Sequence, residues 1–170
     1  HDCFTKDGKP HPFSSRNILK RVLALYEQEG LTPVIAPEME FYLVEQNPNA
    51  GLPLKPPIGR SGRHETARQS YSIDAANEFE PFIEQMYSYC EAMELDVDTL
   101  IHESGAAQLE VNFIHGDPLD LADQVFTFKR TVREAALKNG IYATFMAKPM
   151  TSEVGSATHI HQSLLDASTG

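Results

Sequence analysis

Hydrophobic residues at helical spacing predict a first helix, and capping residues predict two more further along the chain. The first predicted helix follows Ser14 or Ser15, either of which can cap it, and it ends at Gly30. The second spans about residues 75–94, and the third and longest spans about residues 118–139. These helices alternate with apolar stretches of a different period.

Five shorter apolar stretches predict strands between and after these helices. They cover residues 34–45, 97–101, 108–114, 142–150 and 157–165. The element order is helix, strand, helix, two strands, helix, two strands. This order predicts an α+β (α/β-like) fold, with a sheet that carries helices on one face.

A long connection rich in proline and glycine fills residues 46–70. An irregular segment of this length in a compact domain is often functional. Arg60, Arg63, His64 and Arg68 leave two interpretations of it open. The stretch is either a solvated basic loop or a loop at the mouth of a site or a subunit contact.

Carboxylates interrupt two of the apolar strands. Glu38 and Glu40 lie two residues apart in APEMEFYLVE, so their side chains leave an extended chain on the same face. Glu110 lies in QLEVNFI with Gln108 on its own face, and Glu103 precedes this strand across the small-residue turn SGAA. Burying an unpaired charge costs several kcal/mol, so these carboxylates need a compensating partner.

Two imidazoles repeat the pattern, since His159 and His161 lie two apart in THIHQSL. Each feature alone is commonplace: a strand Glu usually faces solvent, and an HxH pair is a weak metal signal. Together, four carboxylates and two imidazoles predict the lining of a funnel or barrel that binds divalent cations. Oxygen-rich ligands without thiols favour Mg²⁺ or Mn²⁺ over structural zinc, and those ions suggest phosphoryl chemistry.

Composition narrows the class of partner. A net charge of −10 disfavours a nucleic-acid surface, and the sequence lacks an apolar run long enough for a membrane span. Cys3 and Cys90 are far apart and form no CxxC motif. Reduced thiols in a cytoplasmic protein are therefore expected.

Four motifs, in this order, resemble the catalytic domain of the glutamine synthetase family: PEMEFYL, HESGAAQLEVNF, KPM and GSATHIHQSL. The resemblance extends from about residue 14 to residue 165. It implies that residues 1–170 are a partial catalytic domain, without the family's small N-terminal domain and without the C-terminal part of the catalytic domain. The implied fold is a curved, mostly antiparallel sheet with helices packed on its outer face.

The resemblance also implies an activity, that of an ATP-dependent carboxylate–amine ligase using Mg²⁺ or Mn²⁺. In the family, ATP phosphorylates the γ-carboxylate of glutamate, and an amine then displaces the phosphate. The family forms dodecamers, so a homo-oligomer is expected. The chain alone is expected to be inactive, because the family's downstream arginines and its further metal acid lie outside it.

Roles for individual residues follow from the resemblance. Glu40, Glu103 and Glu110 match the acids that hold the metal nearest the glutamate and amine site. Glu38 and His159 match two ligands of the second metal, which bridges the ATP phosphates.

Further matches place His161 against the ATP phosphates, and Gly155 with Glu103 on the glutamate and amine side.

One departure from the family pattern concerns the amine acceptor, because Val154 stands where glutamine synthetases usually carry an asparagine. This segment, with GRSGRHETARQSYSIDA upstream, is more similar to the γ-glutamylpolyamine (γ-glutamylputrescine) synthetase branch. A polyamine such as putrescine is therefore the expected amine, with ammonia as the alternative and an inactive binding or structural module as the alternative of another class.

Overall fold

A computed structural model describes residues 1–47, 49, 51–66 and 68–170. The predicted connection 46–70 includes positions 48, 50 and 67, which lie outside the described residues. No helix among the described residues is both long and apolar enough to cross a bilayer. In chain order the elements are α1 (Ser15–Gln28), β1 (Leu31–Glu45), α2 (Ile73–Asn77), α3 (Glu80–Ala92), β2 (Val97–His102), β3 (Gln108–Phe113), α4 (Pro118–Lys138), β4 (Ile141–Thr144) and β5 (Thr158–Asp166).

The long strand β1 organises the sheet. Its strand order is β2-β3-β1-β4, and β5 also pairs with β1. β5 lies along residues 31–39 of β1, β4 along residues 42–45, and β3 along residues 38–42. All of these pairings are antiparallel, which confirms the predicted α+β class and the mostly antiparallel sheet.

One face of the sheet forms the hydrophobic core. Met39, Phe41 and Leu43 alternate along β1 and pack with buried side chains of α3 and α4. The Phe41 ring meets Phe82 of α3 and Phe128 of α4 edge-on, at centroid distances of 6.2 and 6.4 Å. The helices therefore cover this face, as predicted, and the residues between these core positions point to the other face.

Two predicted elements are shorter than expected. The helix expected over residues 75–94 is two helices, α2 and α3, because Pro81 has no amide hydrogen and is suited to the first turn of a helix rather than its interior. The strand expected over residues 142–150 ends at Thr144, because β5 pairs with the adjoining stretch of the same edge of β1, up to Met39.

Candidate cation site on the polar face of the sheet

The polar face is built by alternate residues of β1. Glu38, Glu40 and Tyr42 occupy the positions between the core residues Met39, Phe41 and Leu43, so they face away from the helices. On β3 the corresponding positions are Gln108, Glu110 and Asn112. The predicted division into an acidic and an apolar side is therefore confirmed for these two strands.

Glu40 and Glu110 are direct partners in the β1–β3 register. Both are buried, with 8% and 6% of their surface exposed. Glu40 Oε2 accepts hydrogen bonds from Gln108 Nε2 and from the Ala157 amide, each at 3.0 Å. These bonds fix one carboxylate oxygen of Glu40 against the segment that leads into β5.

His159 of β5 completes a compact group of ligand atoms. Within the described chain, one ligand atom each from Glu38, Glu110 and His159 lie within 4.8 Å of one another. His159 Nδ1 is 3.4 Å from Glu38 Oε2 and 3.7 Å from Glu40 Oε1. Glu110 is buried while His159 is exposed, so the group runs from the sheet interior to solvent.

His161 lies on the same face, one step further along β5. Its Nε2 is 3.0 Å from Glu38 Oε1. Glu38 therefore contacts both imidazoles, one through each carboxylate oxygen. The imidazole of His161 is exposed, which leaves it accessible to a ligand from solvent.

The electrostatics of the site are most visible at Glu110. Burial raises the pKa of Glu110 to about 7, with further upward contributions from the charges of Glu38, Glu103 and Glu40. His159 opposes these contributions. In this environment the ionised carboxylate is stabilised when a cation takes the place of the proton.

Two features of these residues suit a hard divalent ion. One is the chemical type of their ligand atoms, and the other is a buried polar atom that has no hydrogen-bond partner among the described residues. The Oδ1 atom of Asn112 is buried and lacks a hydrogen-bond partner among the described residues. Asn112 is the cross-strand partner of Glu38, so this oxygen belongs to the same face. Carboxylate and amide oxygens with one imidazole suit Mg²⁺ or Mn²⁺.

Glu103 lies apart from the compact group, just beyond β2. Its Oε2 accepts a hydrogen bond from the Ser104 amide at 3.2 Å, while its charge still acts on Glu110. Two further carboxylates reach the same turn, because the Ala106 amide donates to Glu153 and the Ala107 amide donates to Glu65. The predicted small-residue turn is thus a site where side-chain oxygens accept from successive amides.

Gly155 lies beside this turn in a space that only glycine fits. A Cβ atom there would be 2.9 Å from the Ala147 carbonyl oxygen. The Gly155 carbonyl accepts from Gln108 Nε2 at 3.0 Å, and the Val154 carbonyl accepts from the Tyr42 hydroxyl at 2.8 Å. The backbone groups of this segment are therefore engaged with the polar face of the sheet.

Four residues of the site were missed by sequence reasoning: Glu65, His102, Asn112 and Glu153. Asn112 follows the alternation of β3 and could have been assigned to the polar face from its spacing. His102 directly precedes Glu103, but a lone histidine at a strand end carries no specific signal. Glu65 and Glu153 lie in irregular segments, where sequence spacing does not encode position.

Comparison with known proteins decides the family. The family model described as glutamine synthetase, catalytic domain, matches residues 12–169. The chain belongs to the glutamine synthetase family. The match confirms the resemblance found in the sequence motifs, and it covers nearly the whole chain.

Several members of the glutamine synthetase family are similar at a comparable level. Gamma-glutamylputrescine synthetase PuuA of Escherichia coli is 36% identical over 162 residues, covering 94% of this chain and 34% of PuuA. Glutamine synthetase of Mycolicibacterium smegmatis is 36% identical over 169 residues, covering 99% of this chain and 36% of that protein. The chain therefore spans about a third of the length of these relatives.

Solved structures agree with the sequence comparisons. A novel glutamine synthase homolog superposes with a TM-score of 0.80 at 25% identity, covering 98% of this chain and 35% of that one. A GmaS/ADP complex superposes with a TM-score of 0.80 at 29% identity, covering 95% of this chain and 36% of that one. The fold described above is thus that of a glutamine synthetase family region.

Proposed function

We propose that this chain supplies the cation-binding part of the active site of an ATP-dependent ligase that joins glutamate to an amine. The observation that carries the proposal is the buried pair Glu40 and Glu110, which face each other with Glu38 and His159 in reach. A bound Mg²⁺ or Mn²⁺ would neutralise charge during phosphoryl transfer. The pairing of β1 with β3 holds the carboxylates of Glu40 and Glu110 in fixed positions on the polar face of the sheet.

The assignment of the individual ligands stays as predicted from the family. Glu40, Glu103 and Glu110 would serve one ion, and Glu38 with His159 would serve the second. His161 would contact the phosphates of ATP, which is supported by its exposed imidazole beside Glu38. A similar solved structure is a GmaS/ADP complex, and this supports a nucleotide ligand on the same fold.

For the amine we favour a polyamine such as putrescine. The named activity of PuuA supports this choice, while the glutamine synthetases at equal identity support ammonia as the second candidate. Burial raises the pKa of the Tyr42 hydroxyl first, and the charges of Glu153, Glu40 and Glu103 raise it further while Arg68 lowers it. These three carboxylates would attract a cationic amine to this side of the site. Gly155 and Glu103 would lie on this side of the site.

A homo-oligomer in the cytoplasm completes the proposal, drawn from the family and from the free cysteines Cys3 and Cys90. The experiment is phosphate release from ATP by the full-length protein with glutamate and Mg²⁺, comparing putrescine with ammonia. We expect release that depends on glutamate and is faster with putrescine. Glu110→Gln should lower the rate at least about tenfold, whereas the exposed Glu134→Gln on α4 should leave it unchanged.

The possible results separate the alternatives. Faster release with ammonia would replace the polyamine assignment by that of a glutamine synthetase. Absence of release with either amine, together with intact Mn²⁺ binding, would favour an inactive module that binds the ion. Release that is unaffected by Glu110→Gln would contradict the site itself.

A further inference from the structure

His102 is enclosed at the end of β2, with no exposed side-chain surface. Both of its ring nitrogens have a partner. Nδ1 is 2.8 Å from the Glu103 carbonyl oxygen, and Nε2 is 3.0 Å from Glu65 Oε2. The Glu103 carbonyl oxygen can only accept, so Nδ1 donates to it, and Nε2 lies at hydrogen-bond distance from the Glu65 carboxylate.

Glu65 comes from the long loop between β1 and α2, and its side chain is only 5% exposed. The same Oε2 atom that faces His102 also accepts the Ala107 amide at 2.8 Å. One carboxylate oxygen therefore joins the end of β2 to the far end of the turn that contains Glu103. Charge-assisted bonds of this kind are shorter and stronger than neutral ones.

The turn needs such support at Ala107. Ala107 has a φ of 58°, in the left-handed region that side chains other than glycine disfavour, and it is fully buried. Its carbonyl oxygen accepts the Leu43 amide of β1 at 2.9 Å. The hydrogen bond that the Ala107 amide donates to Glu65 thus stabilises the residue that docks the turn onto β1.

From these contacts we infer that Glu65 and His102 are positioning residues for the cation site. They fix the turn between β2 and β3 and thereby place Glu103 relative to Glu110. Glu65 therefore gives the long loop, whose described side chains are mostly exposed, a direct contact with the turn of the site. The effect of the pair on metal affinity rests on the proposed function, whereas its effect on the turn does not.

The test uses Glu65→Ala, which removes both bonds, and Glu65→Gln, which keeps a neutral acceptor. Glu80→Gln is the matched control, because it breaks another contact between this loop and a helix, the exposed Arg60–Glu80 pair at 3.0 Å. Two quantities are measured on each variant of the full chain. They are hydrogen exchange of the Ala107 amide without metal, and Mn²⁺ affinity from the electron paramagnetic resonance signal of free Mn²⁺.

We expect Glu65→Ala to speed exchange of the Ala107 amide at least about tenfold and to weaken Mn²⁺ affinity about tenfold or more. Glu65→Gln should fall between Glu65→Ala and the parent in both measurements, and Glu80→Gln should match the parent.

The result that would contradict the proposed function differs from the result that would contradict the positioning role of Glu65. A parent chain that does not bind Mn²⁺ would overturn the proposed function, and the exchange data would still decide the role of Glu65. Unchanged exchange at Ala107 in both Glu65 variants would overturn the positioning role. Loss of thermal stability with unchanged exchange and unchanged Mn²⁺ affinity would assign Glu65 a general structural role and overturn the inference as well.

Discussion

Glu40 on β1 and Glu110 on β3 occupy directly opposite positions in the sheet, and both are buried. Like charges at opposing positions of an antiparallel pair are destabilising, and burial removes the water that would otherwise screen them. Among the described residues, Gln108 and the Ala157 amide donate hydrogen bonds to Glu40 and not to Glu110. The buried carboxyl group of Glu110 is therefore stable in the sheet when it is protonated or when a cation lies beside it.

The stability of the metal-free chain should fall as pH rises, because of Glu110. The pKa of Glu110 is about 7 in the fold, against 4.5 for an ordinary glutamate. Below pH 4.5 the Glu110 carboxyl is protonated in both the folded and the unfolded chain, so it does not lower the free energy of unfolding. As pH rises through the folded pKa the penalty develops fully, and it amounts to roughly 3 kcal/mol as an upper figure.

Urea unfolding in the presence of a chelator measures this penalty by comparing the parent with Glu110→Gln. The two should have similar free energies of unfolding at about pH 4.5, and the variant should be more stable by about 2–3 kcal/mol near pH 8. A difference that stays constant between these pH values would show that the Glu110 carboxyl is not perturbed by its surroundings.

Gly105 should not tolerate a side chain. A Cβ atom at Gly105 would lie 2.6 Å from Tyr42 Cζ and would also clash with the Tyr42 hydroxyl. Gly105→Ala should therefore destabilise the chain by about 2 kcal/mol or more, measured by urea unfolding. Gly116→Ala is the matched control, because its Cβ would meet Leu121 at an ordinary 3.6 Å. Equal effects of the two substitutions would contradict the packing of Tyr42 against the turn.

Gln108 connects the turn, β1 and the segment before β5. It is fully buried, its Oε1 accepts the Gly105 amide, and its Nε2 donates to Glu40 and to the Gly155 carbonyl, each at 3.0 Å. Gln108→Ala removes all three of these buried hydrogen bonds and should lower the free energy of unfolding by about 3 kcal/mol. The exposed Gln28→Ala should change it by less than about 0.5 kcal/mol. A similarly small effect at both positions would show that water replaces the Gln108 amide.

The sequence is most informative where polar and apolar residues alternate regularly along a strand and where the family motifs occur. Alternation along APEMEFYLVE assigned Glu38 and Glu40 to one face, and the structure has them there, opposite Met39 and Phe41. Four motifs identified the family, which the comparison over residues 12–169 confirms. Strand alternation is a local property of the chain, so it could be predicted without knowing which strands pair.

The contacts of the site could not be predicted, because they depend on pairing between distant segments. The register that sets Glu40 against Glu110 joins residues 70 positions apart in the chain, and no local pattern specifies it. Glu65 comes from the long loop, whose composition and basic residues do not single this glutamate out. Its bond to Ala107 crosses between irregular segments, where side-chain direction has no period.

Mn²⁺ binding tests the central claim most directly, namely that the carboxylates on the polar face of β1 and β3, together with His159, bind divalent cations. The measurement is a titration of the parent and three variants at about pH 7.5, following free Mn²⁺ by electron paramagnetic resonance. Glu110→Gln and His159→Ala should each weaken the affinity at least about tenfold, and the surface control Glu134→Gln should bind like the parent. Equal affinity of all four proteins, or a parent chain that leaves Mn²⁺ free, would contradict the account.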